Sequence, residues 1–431
     1  MKNIFKTFLI ALLIGAGVMV TSTVHATDGY FGVGYGALNK GVAGAGIAWY
    51  NNSLMNGNPA GHVMLGNQYD IGLGFFNPNR QFTVTGDPSG MPGTFGLTPG
   101  TVESDSKLFY MPSLGANWMI GEKSSISATF FGNGGMNTDY PTQAFYDASS
   151  STTGVDLAQM FLGVSYSRKL GEKHSVGITA LGVYQYFEAN GIASFGMMSS
   201  DPTKLSGNGH DNAMGFGVKL GYMGEIIDNL TLGASYQPKI NMSEFDEYSG
   251  LFAEQGDFDI PSNLTVGLAY KFSEKLAVMA DYKRINYSDV AAVSNKFDPM
   301  STDLLGSDKG AGFGWNDINV YKVGIEYGGI EGWTIRGGYS HNDQAVPESE
   351  VLFNILAPGI IEDHISLGFS KYLGESGKAL HFAMVYALPA TVKGYNPMDF
   401  DPVEAMAGNM VPNQTIELEM SQLEFEIAFT F

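Results

Sequence analysis

The chain has 431 residues, a formal charge of −20, no cysteine, 57 glycines and 13% aromatics. The acidity excludes a nucleic-acid surface, because phosphates need basic partners. The missing thiols exclude a disulfide scaffold, a thiolate metal site and a cysteine nucleophile. Only 15% of residues are charged, against about 25% in an ordinary soluble domain.

Residues 1–26 read as an export signal. Lys2 and Lys6 make a basic start, and Phe8 to Val20 is an apolar run shorter than the ~20 residues of a spanning helix. Val24-His25-Ala26 then places small residues before a cleavage point after Ala26. No later stretch of about 18 apolar residues occurs, so crossing a membrane by helices is excluded. Two classes remain: a large secreted β protein, or a membrane β-barrel.

Residues 27–66 do not alternate. Gly29, Gly32, Gly34, Gly36, Gly41, Gly44 and Gly46 are followed by Asn51, Asn52, Asn56 and Asn58. This segment reads as compact irregular structure with a short helix, packed inside something else.

From residue 67 to 431 the texture changes, and period-2 alternation recurs in fourteen segments. They are 68–84, 107–119, 124–133, 156–170, 174–189, 210–225, 230–240, 258–272, 275–287, 316–328, 332–341, 361–373, 379–390 and 415–431. Each is long enough for a tilted membrane strand of ~9–11 residues. Every second connection is short, as at Gly121-Glu122-Lys123, Gly171-Glu172-Lys173 and Asp228-Asn229, while those between are long. Short turns on one side and long loops on the other mark an outer-membrane barrel with the short turns periplasmic. The expected fold is therefore an all-β, 14-stranded antiparallel transmembrane barrel with an N-terminal plug.

Single strands support this. Met160, Leu162, Val164 and Tyr166 alternate with Gln159, Gly163, Ser165 and Ser167. Ile365, Leu367 and Phe369 alternate with His364, Ser366, Gly368 and Ser370. Lipid outside and a polar lumen inside require that pattern, and backbone pairing in lipid requires closure. In the last strand Leu423, Phe425, Ile427, Phe429 and Phe431 share one parity, but Ile416, Leu418 and Met420 share the other. A bulge near Ser421-Gln422 is expected to reconcile them. The terminal Phe431 resembles the signature by which the barrel assembly machinery recognises its clients.

Residues 29–61, with Lys40-Gly41, Gly44-Ala45-Gly46 and then Asn58-Pro59-Ala60-Gly61, resemble the long-chain fatty acid transporter family of Gram-negative outer membranes, which includes aromatic-hydrocarbon channels. Many relatives carry an acidic, Ala/Ser-rich stretch before the Asn-Pro-Ala motif, where this chain has Trp49-Tyr50-Asn51-Asn52-Ser53. The resemblance implies a monomer among outer-membrane lipids and lipopolysaccharide, with hydrophobic small molecules such as fatty acids or hydrocarbons as ligands. It also implies a hatch-gated passive channel, with the Asn-Pro-Ala motif beside a kink in the third strand. Ligand leaves through that kink sideways into the membrane. Here the third strand ends in Gly132-Asn133-Gly134-Gly135, which permits a bulge or begins an ordinary loop. A polar-solute porin and a structural or adhesive barrel are the alternatives.

No catalytic constellation, cofactor motif or metal spacing is found; the histidines are scattered, and no nucleotide loop or nucleophile elbow occurs. Several long loops carry apolar residues: Phe195, Met197 and Met198; Leu251 and Phe252; Leu352 and Phe353. These either form an outer groove that captures hydrophobic ligand or pack on one another as a lid. A ligand carboxylate needs a cationic partner. Lys283, Lys322 and Arg336 have lumen parity, and they can equally pair with Asp281 and Glu326.

Overall fold

The computed structural model describes residues 27–49, 54–55, 57–374 and 377–431. The export signal and Tyr50 to Ser53 lie outside the described residues. The wall is built from fourteen strands, numbered here in chain order: β1 Gln68–Thr85, β2 Phe109–Ile120, β3 Ser124–Tyr140, β4 Thr153–Leu170, β5 His174–Asn190, β6 Asp211–Ile227 and β7 Leu230–Gln237. They continue with β8 Asn263–Ser273, β9 Leu276–Ile285, β10 Ile318–Ile330, β11 Trp333–Asn342, β12 Asp363–Tyr372, β13 Ala379–Tyr395 and β14 Thr415–Thr430. Each pairs antiparallel with the next, and β14 closes on β1 from Thr415↔Thr85 to Thr430↔Asp70. Phe431 extends that seam by exchanging two backbone hydrogen bonds of 2.9 Å with Tyr69.

The short turns lie at one end of the cylinder. The turn after β2 uses Gly121 at φ +68°, and the turn after β6 uses Asn229 at φ +66°. Both residue types tolerate this left-handed conformation, so two antiparallel strands can reverse within two or three residues.

The polarity of the wall changes with height. In its lower part the outward residues are apolar and the inward ones polar: Ile71 and Leu73, Val164, Leu367 and Ile427 face out, while Ser165, Ser167, His364, Ser366, Glu424 and Glu426 are buried inside. Above Phe75 and Phe425, which stack across the β1–β14 seam at 5.1 Å, the sense reverses. There Asn77, Asn79, Gln81 and Thr83 face outward, Gln81 hydrogen-bonds Glu419, and Phe82, Val84, Ile416, Leu418 and Met420 are buried in the interior. The lower zone is dressed for lipid. The upper zone has the pattern of a water-soluble barrel, with the long loops folded into its mouth.

This reversal corrects one expectation. β14 pairs with β1 without any register shift, so Ser421-Gln422 carries no bulge. Ile416, Leu418 and Met420 face inward because they stand above the lipid zone, where the apolar side of the strand is the inside. The irregularity lies in the neighbour: the β13–β14 register shifts between Ala387 and Ala390 of β13, a stretch that contains Pro389. Proline cannot donate to a ladder and is tolerated at such bulges. A second expectation also changes. β3 continues to Tyr140, so Gly132 to Gly135 lie in mid-strand instead of at a strand end.

The zoning predicts unequal effects of an added charge. Leu367→Arg, at an outward position that is 56% exposed to lipid, should lower unfolding free energy in lipid vesicles by about 2–4 kcal/mol. Thr83→Arg, on the same outer surface but above the apolar zone, should change it little. Urea titrations of the two variants in lipid check this.

Candidate functional site

Residues 27–49 and 57–66 fill the lumen, and strands from around the ring hold them. Asp28 accepts from Lys322 of β10 at 2.9 Å and from Lys283 of β9 at 3.2 Å. The Gly46 and Ile47 N–H groups donate to Asp281 of β9 at 2.8 and 2.9 Å. The Trp49 indole donates to Glu326 of β10 at 3.1 Å. Lys40, at the end of the short helix Gly36–Lys40, forms ion pairs with Glu424 and, at 2.7 Å, Glu426 of β14. Burial alone lowers the affinity of the Lys40 ammonium for its proton; the two carboxylates outweigh that and raise it. Inner-face glycines let the plug come close. A Cβ on Gly338 would lie 2.3 Å from the Val42 carbonyl carbon, and one on Gly233 2.4 Å from the Ile47 oxygen.

Between β2 and β3 the wall is interrupted. The β2–β3 ladder runs from Ile120↔Ser124 to Ser113↔Phe131 and stops. Beyond that the wall strand paired with β3 is β4 on its other side, and this register shifts between Gly132 and Gly134, so Asn133 is the extra residue of a bulge. Across the interruption, β1 above Phe76 pairs instead with the short strand Gly100–Glu103. The loop after that strand rejoins β3 at Asp139, whose N–H donates to the Ser104 hydroxyl at 2.9 Å and whose carbonyl accepts from Asp105 at 2.8 Å. A crevice thus separates residues 106–112 from residues 132–138.

The plug backs this crevice. Phe31 pairs with Gly134, and the Gly135 N–H donates to the Tyr30 carbonyl at 3.2 Å. A Cβ on Gly134 would sit 1.7 Å from the Tyr30 oxygen, so only glycine allows the approach. The Tyr35 hydroxyl donates to the Asn133 side-chain oxygen at 2.8 Å. Above the plug lies the apolar interior. The Tyr30 ring packs within 5.2–6.1 Å of Tyr287, Trp315 and Phe258. Val155, Phe187, Phe195, Leu251, Phe252 and Phe353 surround an apolar cavity of about 30 Å³.

Two comparisons bear on this arrangement. Residues 19–355 match the model of the family "Outer membrane protein transport protein (OMPP1/FadL/TodX)". The chain belongs to this family. Its members are outer-membrane β-barrel transporters of hydrophobic compounds, not enzymes. Solved structures share the fold. The Pseudomonas putida toluene transporter TodX is 19% identical, with 94% of this chain and 99% of that one covered and a TM-score of 0.64. A Pseudomonas aeruginosa FadL homologue is 14% identical, with 94% and 99% covered and a TM-score of 0.66. The Ralstonia pickettii toluene transporter TbuX is 18% identical, with 92% and 98% covered and a TM-score of 0.61. No curated protein sequence matches the chain.

In this family member the motif residues take places different from those the resemblance implied. The Asn58 amide donates to Ile47 and Tyr222 carbonyls at 2.8 and 3.0 Å, and its oxygen accepts from Ala60 at 3.1 Å, capping the helical turn Pro59–Met64. Pro59 accepts from Ser167 of β4 at 2.5 Å, and Gly177 and Gly221 leave room for the turn, including Gly61. This seat is at the periplasmic end of β4–β6, not beside the bulge. Along β4, Ser167 lies seven residues below Met160, the partner of Gly132, or about 23 Å at the usual strand rise. The residues at the bulge are Tyr30, Phe31 and Tyr35, and their only sequence signal is three aromatics among glycines.

The loop residues also divide. Phe195, Leu251, Phe252 and Phe353 line the cavity, Leu352 is buried in the same apolar cluster and Met198 packs against it. Met197 is 97% exposed and takes no part. Of the two arrangements expected, an outer groove or loops packed on one another, the structure shows the loops packed together around this cavity. Lys283, Lys322 and Arg336 do reach the lumen. Lys283 and Lys322 are engaged by Asp28, and Arg336 donates to Glu326 at 2.6 Å.

Lys40→Met strands two adjacent buried carboxylates, and breaking one side of a buried pair costs about 3–5 kcal/mol. The variant barrel should assemble with its plug loosened, seen as proteolytic cleavage within residues 27–66 under conditions where the wild-type plug is protected.

Proposed function

We propose that this transporter takes up long-chain fatty acids or related hydrocarbons by passive diffusion. In this reading ligand enters the loop chamber, displaces the Tyr30–Phe31 segment and leaves sideways through the β3 crevice. The observation that carries the reading is the crevice itself: an interrupted wall, backed by a plug and placed beside an apolar interior. The plug occupies the lumen below, so a straight path to the periplasm crosses Lys40, Asp28 and their buried partners. An apolar chain gains about 25 cal/mol for each Å² withdrawn from water. Exit into lipid keeps that gain, whereas exit into the periplasm forfeits it.

The chamber and the cavities beside it hold little free volume. Admission of a ligand therefore requires the loops or the plug to move. The Phe31–Gly134 contact is a single ladder position.

Deleting Asn133 removes the extra residue of the bulge and lets β3 run straight. Uptake of labelled oleate by cells lacking other routes should then be lost, while the barrel keeps its heat-modifiable migration in gels. Undiminished uptake by a folded deletion variant would rule out the crevice as the exit.

A further inference from the structure

A chain of hydrogen bonds crosses the lower lumen from the plug to the periplasmic rim. Glu326 of β10 accepts from the Trp49 indole and also from the Arg336 Nε–H, at 2.6 Å. Arg336 of β11 donates through Nη1 to the Ser370 hydroxyl of β12 at 2.6 Å. That hydroxyl lies 2.7 Å from Nδ1 of His381 on β13, and His381 Nε2 lies 2.9 Å from the Thr430 hydroxyl of β14. Thr430 donates to Asp70 of β1 at 2.6 Å, and Gln68, which opens that strand, donates to both Asp70 oxygens at 3.0 and 2.9 Å. Arg336, Ser370, His381 and Thr430 are each at most 4% exposed.

The two ends of this chain fix its polarity. A guanidinium only donates, and a carboxylate only accepts. Thr430 spends its proton on Asp70, so it accepts from His381, and His381 carries its hydrogen on Nε2. Nδ1 is then the acceptor for Ser370, which is free to donate because it accepts from Arg336. Every member is satisfied in this one arrangement, with the imidazole neutral. A second proton on His381 breaks it. Both ring nitrogens then donate, the Ser370 proton loses its acceptor, and two cations stand on one hydroxyl. A network satisfied in part is worse than one satisfied throughout. The charged groups that face His381 are Arg336 from β11 and Asp70 from β1. Glu426 stands nearby on β14, beside Ala428, whose register partner is His381, and is paired with Lys40 of the plug.

We propose that His381 is a positioning residue through which acidity at the periplasmic mouth controls one hold on the plug. With the imidazole neutral, the chain keeps Arg336 and Glu326 in place for the Trp49 indole. With the imidazole protonated, Arg336 leaves Ser370, and the Glu326 carboxylate moves with it. The plug then loses its Trp49 hold while the Lys40 and Asp28 ion pairs remain. This control goes beyond the transport reading and holds or fails apart from the route that a ligand takes.

The test follows the Trp49 indole N–H by NMR in the full-length protein in nanodiscs. The chain has four tryptophans, and a Trp49→Phe spectrum assigns the signal. Between about pH 7.5 and about pH 4, on either side of the ordinary histidine value, its exchange with water should accelerate about tenfold beyond the intrinsic pH effect. That is the worth of one hydrogen bond to a charged group. His381→Gln keeps one acceptor and one donor but cannot titrate, so Trp49 should stay protected at both pH values. His381→Phe cuts the chain and should expose Trp49 about tenfold at about pH 7.5. If His381→Phe does not assemble, the His381→Gln titration decides alone. A wild type without the pH response overturns the inference. So does a His381→Gln variant that titrates like the wild type, or a folded His381→Phe barrel that leaves Trp49 protected. A response abolished by Asp70→Asn but kept in His381→Gln would place the sensor on Asp70 and also overturn it.

Discussion

A backbone group facing hydrocarbon must find a hydrogen-bond partner within the protein, and much of this structure follows from where the wall meets that demand and where it does not. Around most of the ring each strand satisfies its neighbours, and β14 returns to β1 to remove the last edge. Between β2 and β3 the ladder stops at Phe131. The unpaired part of β3 takes its partners from inside, from Tyr30 and Phe31 of the plug. The plug therefore does two jobs at one contact: it fills the lumen and completes the wall. On the proposed route, displacing this contact frees the crevice for the ligand.

The rest of the plug is anchored more strongly than this contact. Lys40 with Glu424 and Glu426, and Asp28 with Lys283 and Lys322, are buried ion pairs four to five strands apart around the ring. The Asn58 turn adds a third fixed point at the periplasmic end. Between these anchors the strand Phe31–Gly32 is only two residues long. A local shift there is far less demanding than ejection of the whole segment.

The strand count, the turn asymmetry and the inward or outward sense of most residues were legible in the sequence, because lipid imposes a period-2 signal that no other feature of the chain masks. What failed, failed where that rule changes. The parity switch at Ile416, Leu418 and Met420 has the pattern of a bulge only if lipid runs along the full strand; those residues stand above it. The place of Asn58-Pro59-Ala60 was not recoverable, since tertiary docking on Gly177 and Gly221 decides it. Gly132 to Gly135 stood out by composition, but their partners Tyr30 and Phe31 lie about a hundred residues away in the chain.

The central claim is a lumen sealed by the chain's own beginning, with passage for apolar molecules through the side of the wall. The most direct measurement is a planar-bilayer recording of the wild-type protein, paired with flux of oleate across the same membrane preparation. The account predicts ligand flux with no steady ion conductance. A sustained conductance of porin size would mean that water and ions run straight through the cylinder, and it would contradict the account.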